Sequence, residues 1–387
     1  MIPSKAYDER WLNKLSALQK EVALTKQGFI FVFKFLFKRG DHLFIIGNTG
    51  SGKTQKAYWL VNWMRHTKET VIWLDSAKNS EMLPLLKMGT PVRIICPKGS
   101  TVKLWEREPM FTKSNFCKGE PIMQTYYTKD GGIIEHQVSE WVPMKNPPEI
   151  VQIESAGSAW WAVKKGYINI FCFRNAFERV EDRGRWIGDL FETLSTWTRK
   201  QRMPKIYPFC IFGDEAHWFN AGQKITSNSE RNLLSELITE HALELRAYGG
   251  RLVLIAQGYK NLPPATRENL PNTLLCRGAK VSSDENNALS TFNQYTSRYS
   301  PQKGLFVYSD GDPYPKRAPW KFPFFPMPKI KIQYIGEYDN PSEQQKIEQE
   351  IEEELIPDLS KYNAVLQALE GYEIPHSISR YEVVPSD

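Results

Sequence analysis

Cysteine is scarce in this chain of 387 residues: Cys96, Cys117, Cys172, Cys210 and Cys276 are scattered and odd in number. That spacing suits neither a disulfide framework nor a zinc site. Cys172, Cys210 and Cys276 lie in or beside apolar runs and read as buried structural thiols, which implies a reducing compartment. No secretory pattern opens the chain. Long apolar runs are missing too. Phe29-Ile30-Phe31-Val32-Phe33-Lys34-Phe35-Leu36-Phe37 carries Lys34 and is too short to span a bilayer, so it reads as a buried strand or helix without stable membrane insertion. No internal repeat is visible, which argues against a solenoid. A dominant charge is absent as well: 50 Lys and Arg against 44 Asp and Glu leave +6, which permits nucleic-acid binding without demanding it. The remaining composition, 41% hydrophobic and 24% charged, is that of a globular protein with room for one large α/β domain and appendages.

Gly47-Asn48-Thr49-Gly50-Ser51-Gly52-Lys53-Thr54 fits the phosphate-binding pattern G-x-x-x-x-G-K-[ST]. Its flanks fit as well. His42-Leu43-Phe44-Ile45-Ile46 is a short apolar run expected of a buried parallel strand. Ala57, Leu60, Val61 and Met64 recur at i, i+3, i+4 and i+7, the apolar stripe of a helix. Strand, glycine loop and helix in that order aim backbone N–H groups at an anion. Lys53 supplies charge to the β- and γ-phosphates, and the Thr54 hydroxyl is suited to Mg²⁺. ATP and Mg²⁺ are the cofactors this predicts.

Further apolar strands are predicted at Val71-Ile72-Trp73-Leu74-Asp75, at Val92-Arg93-Ile94-Ile95-Cys96, at Ile168 to Phe173, at Pro208 to Phe212 and at Leu252 to Ala256. Helical stripes lie between them, one on Ile187, Leu190, Phe191, Leu194 and Trp197 and another over about 229–247. Alternating strands and helices give βαβ units and a mostly parallel sheet. Residues 1–40 read as an N-terminal arm and 41–330 as the core. Within the core, about 97–166 is rich in Pro, Gly, Thr and Tyr and reads as a β-rich insertion. After a Pro-rich stretch, 331–387 reads as an acidic helical tail. The insertion's aromatics, among them Trp105, Tyr126, Tyr127, Trp141, Trp160 and Trp161, are suited either to stacking on DNA bases or to the core of a small domain.

Phe209-Cys210-Ile211-Phe212-Gly213-Asp214-Glu215 is an apolar strand ending in two acids. Asp214 is expected to hold Mg²⁺, and Glu215 to activate the water that attacks the γ-phosphorus. Such a hydrolytic glutamate sets the site apart from a kinase. Gln257 ends the next strand, where its amide can sense the γ-phosphate. Asp75 and Lys78 close the second strand, at the crevice of an open parallel sheet.

The row Arg246-Ala247-Tyr248-Gly249-Gly250-Arg251 with Leu252 to Gln257 resembles the FtsK/HerA superfamily of DNA-pumping ATPases. That family has an arginine, a glycine, an apolar strand and a terminal glutamine at this spacing. Asp75-Ser76-Ala77-Lys78-Asn79-Ser80-Glu81 is similar to the family's D-x-x-K-x-x-E, and Asn269 to Arg277 to the stretch that follows the glutamine. The likeness covers roughly 41–96 and 168–310. It implies a RecA-like core, a hexameric ring, double-stranded DNA as partner, and Arg246 as an arginine finger reaching a neighbour's site, with Arg251 and Arg277 as alternatives. It also implies genome packaging or DNA transfer, with a portal, capsid or nuclease as further partner, in a cytoplasm or a virion. Two other readings stay open: an assembly ATPase for protein or virion extrusion, and a DEAH helicase on Asp214-Glu215-Ala216-His217. The helicase needs a second RecA-like domain, for which the sequence after Gln257 leaves little room.

Overall fold

The computed structural model describes residues 41–75, 81–110, 121–127, 133–137, 139–173, 176–177, 180–199, 206, 208–216, 238–240, 244–245, 249–308, 316–321 and 323–336. The arm, Lys78, Cys117, His217, Arg246 and the tail beyond 336 lie outside them, as does most of the helix expected over 229–247.

The strands in chain order are β1 (Leu43–Ile46), β2 (Thr70–Asp75), β3 (Val92–Pro97), β4 (Thr101–Pro109), β5 (Met123–Tyr127), β6 (Ile133–Gln137), β7 (Ser139–Pro143), β8 (Glu149–Ile153), β9 (Ile168–Cys172), β10 (Phe209–Gly213), β11 (Gly250–Ala256), β12 (Asn272–Cys276), β13 (Lys303–Tyr308), β14 (Lys316–Lys321) and β15 (Ile330–Ile335). The helices are α1 (Lys53–Thr67), α2 (Leu83–Leu86), α3 (Ala156–Ala162), α4 (Val180–Arg199), α5 (Pro264–Glu268), α6 (Asn287–Ser290) and α7 (Asn293–Thr296).

Ten strands form one sheet in the order β14-β13-β12-β1-β11-β10-β2-β9-β3-β8. From β12 to β8 every pairing is parallel, and β13 and β14 extend that edge antiparallel. β1 is buried at all four positions, as its unbroken apolar run requires of a strand covered on both faces. On one face Leu43, Ile45, Trp73, Phe212 and Val253 pack with Ala57, Leu60, Val61 and Met64 of α1. On the other, Phe44, Ile72, Ile211 and Leu254 pack with Ile187, Leu190, Phe191 and Leu194 of α4. These positions of α1 and α4 are the predicted apolar stripes, each large side chain adding about 1.5–3 kcal/mol of burial. The strand order carries the specificity of the fold. Two strands, β11 and β10, separate β1 from β2, so the chain crosses over rather than adding neighbours in sequence.

Within 97–166, β8 joins the main sheet beside β3, and α3 packs on its second face. Trp160 belongs to that core: it is fully buried and its indole N–H donates to the Leu190 carbonyl at 2.8 Å, so it is not available for stacking on DNA. The described residues fall into two compact units, one from 41–106 and 143–336, the other from 107–142. In the first, β4 pairs antiparallel with β15, Thr101 opposite Ile335 and Glu106 opposite Ile330. In the second, β5 and β6 form an antiparallel pair, and Arg107 lies 5.9 Å over the Trp141 ring. Cys96, Cys172, Cys210 and Cys276 are buried free thiols. No helix among the described residues is long and apolar enough to cross a membrane.

At the amino edge of the sheet, the Arg251 guanidinium donates to the carboxylate of Glu69, and both side chains are buried. Burial pushes the Glu69 carboxyl up and Arg251 pulls it back down. Removing one partner strands the other charge, so Arg251→Ala is expected to destabilise the protein by about 3–5 kcal/mol in a urea titration. Arg251→Met combined with Glu69→Leu is expected to lose far less, and equal losses would show that the pair's charge is not what matters there.

Candidate nucleotide site

The glycine loop leaves the carboxyl end of β1 and enters α1 at Lys53. Gly52 has φ +76°, and a Cβ there would meet the Pro301 carbonyl oxygen at 2.5 Å. Only glycine satisfies both the left-handed backbone and the close approach. At Gly47 a Cβ would meet the Cys276 Cβ and the Ser51 Oγ, each at 2.7 Å. The loop thus lies directly on the chain following β12, where the Asn48 N–H donates to the Arg277 carbonyl at 3.3 Å.

Lys53 Nζ donates back to the loop carbonyls of Gly47 at 2.9 Å and Asn48 at 3.1 Å. The Thr54 hydroxyl donates to Asp214 Oδ2 at 2.8 Å, across 160 residues of sequence. Asp214 Oδ1 accepts from the Glu215 N–H at 2.8 Å. Both acids are buried, Asp214 at 1% and Glu215 at 4% exposure. Glu215 has φ +48°, an unusual conformation for a side-chain-bearing residue and a strain of order 1–3 kcal/mol. It turns the chain directly after β10, where the Glu215 side chain is buried. Gln257 is exposed immediately after β11. Because β11 lies between β1 and β10, Gln257 stands between the glycine loop and the acid pair.

The sequence reading passed over Lys56. It is 1% exposed, and its ammonium donates to the carbonyls of Ser51 at 3.3 Å, Gly52 at 3.2 Å and Pro301 at 2.7 Å. Burial lowers its pKa, the nearby Cys276 opposes that, and Lys53 adds to it. A lysine on an amphipathic helix reads as an outward residue, so periodicity carried no signal for it. Tyr58, one turn beyond Thr54, donates to the Glu81 carbonyl at 2.6 Å. Burial, then the charges of Glu81, Asp214 and Asp75, push its phenol far above the ordinary range. Asp75 and Glu81 thus share the field of the same crevice, and both are buried.

The Thr54 hydroxyl and the Asp214 carboxylate, already in contact, are hard oxygen donors that fit Mg²⁺. Among the described residues no group of three or more His, Cys, Asp or Glu side chains is placed to hold a metal ion. Of the arginines considered, Arg251 is committed to Glu69 at the opposite edge of the sheet and is not a finger. Arg277 is exposed beside the loop of its own chain.

No known family profile matches the sequence, and no curated protein resembles it at a significant level. Among solved structures it is similar to the genome packaging NTPase B204 from Sulfolobus turreted icosahedral virus 2 in complex with AMPPCP, at 12% identity and TM-score 0.38, over 73% of this chain and 98% of that one. It is similar to VirB4 of Thermoanaerobacter pseudethanolicus at 14% and 0.40, over 73% and 89%. The pCW3 conjugation coupling protein TcpA with ATPgS aligns at 10% and 0.36, over 74% and 61%.

Lys56 carries the loop's shape, so Lys56→Met is expected to weaken ATP binding by about tenfold or more, the worth of hydrogen bonds to a buried charge. Isothermal titration measures this, and unchanged affinity would mean that the loop holds its form without the ammonium. The strand order, with β11 between the loop strand and the acid-bearing strand, and the Thr54–Asp214 contact make this chain a P-loop protein with a RecA-like core.

Proposed function

We propose that the chain is an ATP-hydrolysing DNA translocase of the FtsK/HerA type that works as a ring, most simply a hexamer, in genome packaging or DNA transfer. The observation that carries the reading is the Thr54–Asp214 contact with Glu215 next to it, the arrangement hydrolysis requires. The loop amides and Lys53 hold the β- and γ-phosphates. Thr54 and Asp214 would hold a Mg²⁺ ion, which would supply positive charge against the phosphates. Glu215 accepts a proton from water as its oxygen bonds to the γ-phosphorus and the bond to the ADP oxygen breaks. Gln257 orients that water or reads the γ-phosphate. Arg246 from a neighbour supplies charge to the transition state, a contribution of roughly 10³–10⁵ in rate in other P-loop enzymes.

Lys53→Ala is expected to abolish ATP binding or turnover, and Glu215→Gln to bind ATP and stop hydrolysis. Unchanged ATP affinity in the first together with normal phosphate release in the second would sink the assignment. Saturating duplex DNA is expected to raise the wild-type rate, and a flat response to duplex and to single-stranded DNA alike would remove DNA as the track and favour an assembly ATPase. A mixture of Arg246→Ala and Lys53→Ala subunits is expected to regain activity that neither parent has, because one interface then holds an intact Lys53 and an intact Arg246. A protein that sediments only as active monomers with ATP and DNA present would rule the ring out.

A further inference from the structure

Trp161 is 71% exposed, the most open large apolar side chain among the described residues. Its neighbour Trp160 anchors α3 in the core, which turns Trp161 outward. Its ring packs on Trp197 of α4 at 5.0 Å between centroids and 58° between planes. The helix beneath it is capped at Ser155, whose Oγ accepts from the Ser158 N–H at 3.3 Å. One side of the indole is therefore held and the other faces solvent.

Lysines lie near it along the chain. Lys164 and Lys165 follow within four residues and are exposed. Lys164 Nζ rests 4.4 Å over the Tyr167 ring, a further aromatic on the same turn. The turn at Gly166 and Tyr167 adjoins the start of β2, where the Gly166 N–H donates to Thr70 Oγ1 at 3.2 Å and the Val71 N–H to the Tyr167 carbonyl at 3.1 Å, and exposed Lys68 lies two residues before Thr70. None of the three lysines makes an ion pair among the described residues. Three exposed lysines and an open indole backed by Trp197 suit a polyanion with flat faces. The glycine loop is at the carboxyl edge of the sheet, whereas this group is at the amino edge, so the two sites do not compete for space.

We propose that Trp161, backed by Trp197 and flanked by Lys68, Lys164 and Lys165, is a contact surface for single-stranded DNA. The exposed indole stacks on an unpaired base and the lysines track the phosphates, the two ingredients of single-strand binding. A duplex buries its bases and would use only the lysines. The inference rests on the DNA reading above and adds to it the place of one contact, made with an unpaired stretch of strand.

The experiment is fluorescence anisotropy of labelled oligothymidylate and of a labelled duplex, without nucleotide, over a series of salt concentrations. Trp161→Ala is expected to weaken oligothymidylate binding about tenfold while changing duplex binding little. Lys164→Gln with Lys165→Gln is expected to reduce the salt slope on the single strand by roughly 0.7 per lysine. Melting temperature checks folding, which the exposed Trp161 side chain should scarcely affect, and Trp161→Phe should retain most of the affinity. A wild type that binds DNA with variants that bind as tightly overturns the surface and leaves the DNA reading standing. A wild type that binds neither probe overturns both. If Trp161→Ala instead lowers the sedimenting mass, the surface belongs to a second copy of the chain and the proposal falls.

Discussion

The parallel pairing of β1 between β11 and β12 is the constraint on which the site depends. A buried strand must satisfy its backbone polar groups on both edges. Here the two edges are supplied by strands more than two hundred residues later. Leu43 lies opposite Val253 on one side and Asn272 on the other. His42 reinforces both seams, its ring nitrogen accepting from the Leu252 N–H and its carbonyl from the Asn272 amide. Once β1 is held this way, the glycine loop at its end can only sit beside Gln257, and one strand further is Asp214.

Polar groups inside this fold are used to position backbone. Lys56 ties Ser51, Gly52 and Pro301 together without contacting the crevice as an acid or base. Tyr58 holds the Glu81 carbonyl, and its ring stacks on Trp73, which stacks on Phe212 below the acid pair. A buried ammonium and a buried phenol cost desolvation, and each is matched by carbonyl partners, which is the condition for keeping such groups inside. The result is a packed layer beneath the glycine loop and the acid pair.

The amino edge has a different character. It holds the Arg251–Glu69 pair internally and open lysines externally. Arg251 illustrates how a sequence motif can mislead: it stands in the arginine-glycine row that the family resemblance singles out, but its guanidinium is consumed by Glu69.

The glycine loop, the run of buried strands and the acid pair were legible in the sequence because each is a local pattern. Apolar continuity marks strands buried on both faces, 3.6-residue spacing marks helix faces, and glycines at fixed offsets mark a loop that wraps an anion. Which strands flank β1 was not legible, because an apolar strand does not encode its neighbour. The burial of Lys56, the left-handed turn at Glu215 and the opposite fates of Trp160 and Trp161 were decided by tertiary packing alone. Periodicity records which side of an element is apolar. It does not record which carbonyls will gather around an ammonium, or where a seven-residue helix will turn one of two adjacent indoles into solvent.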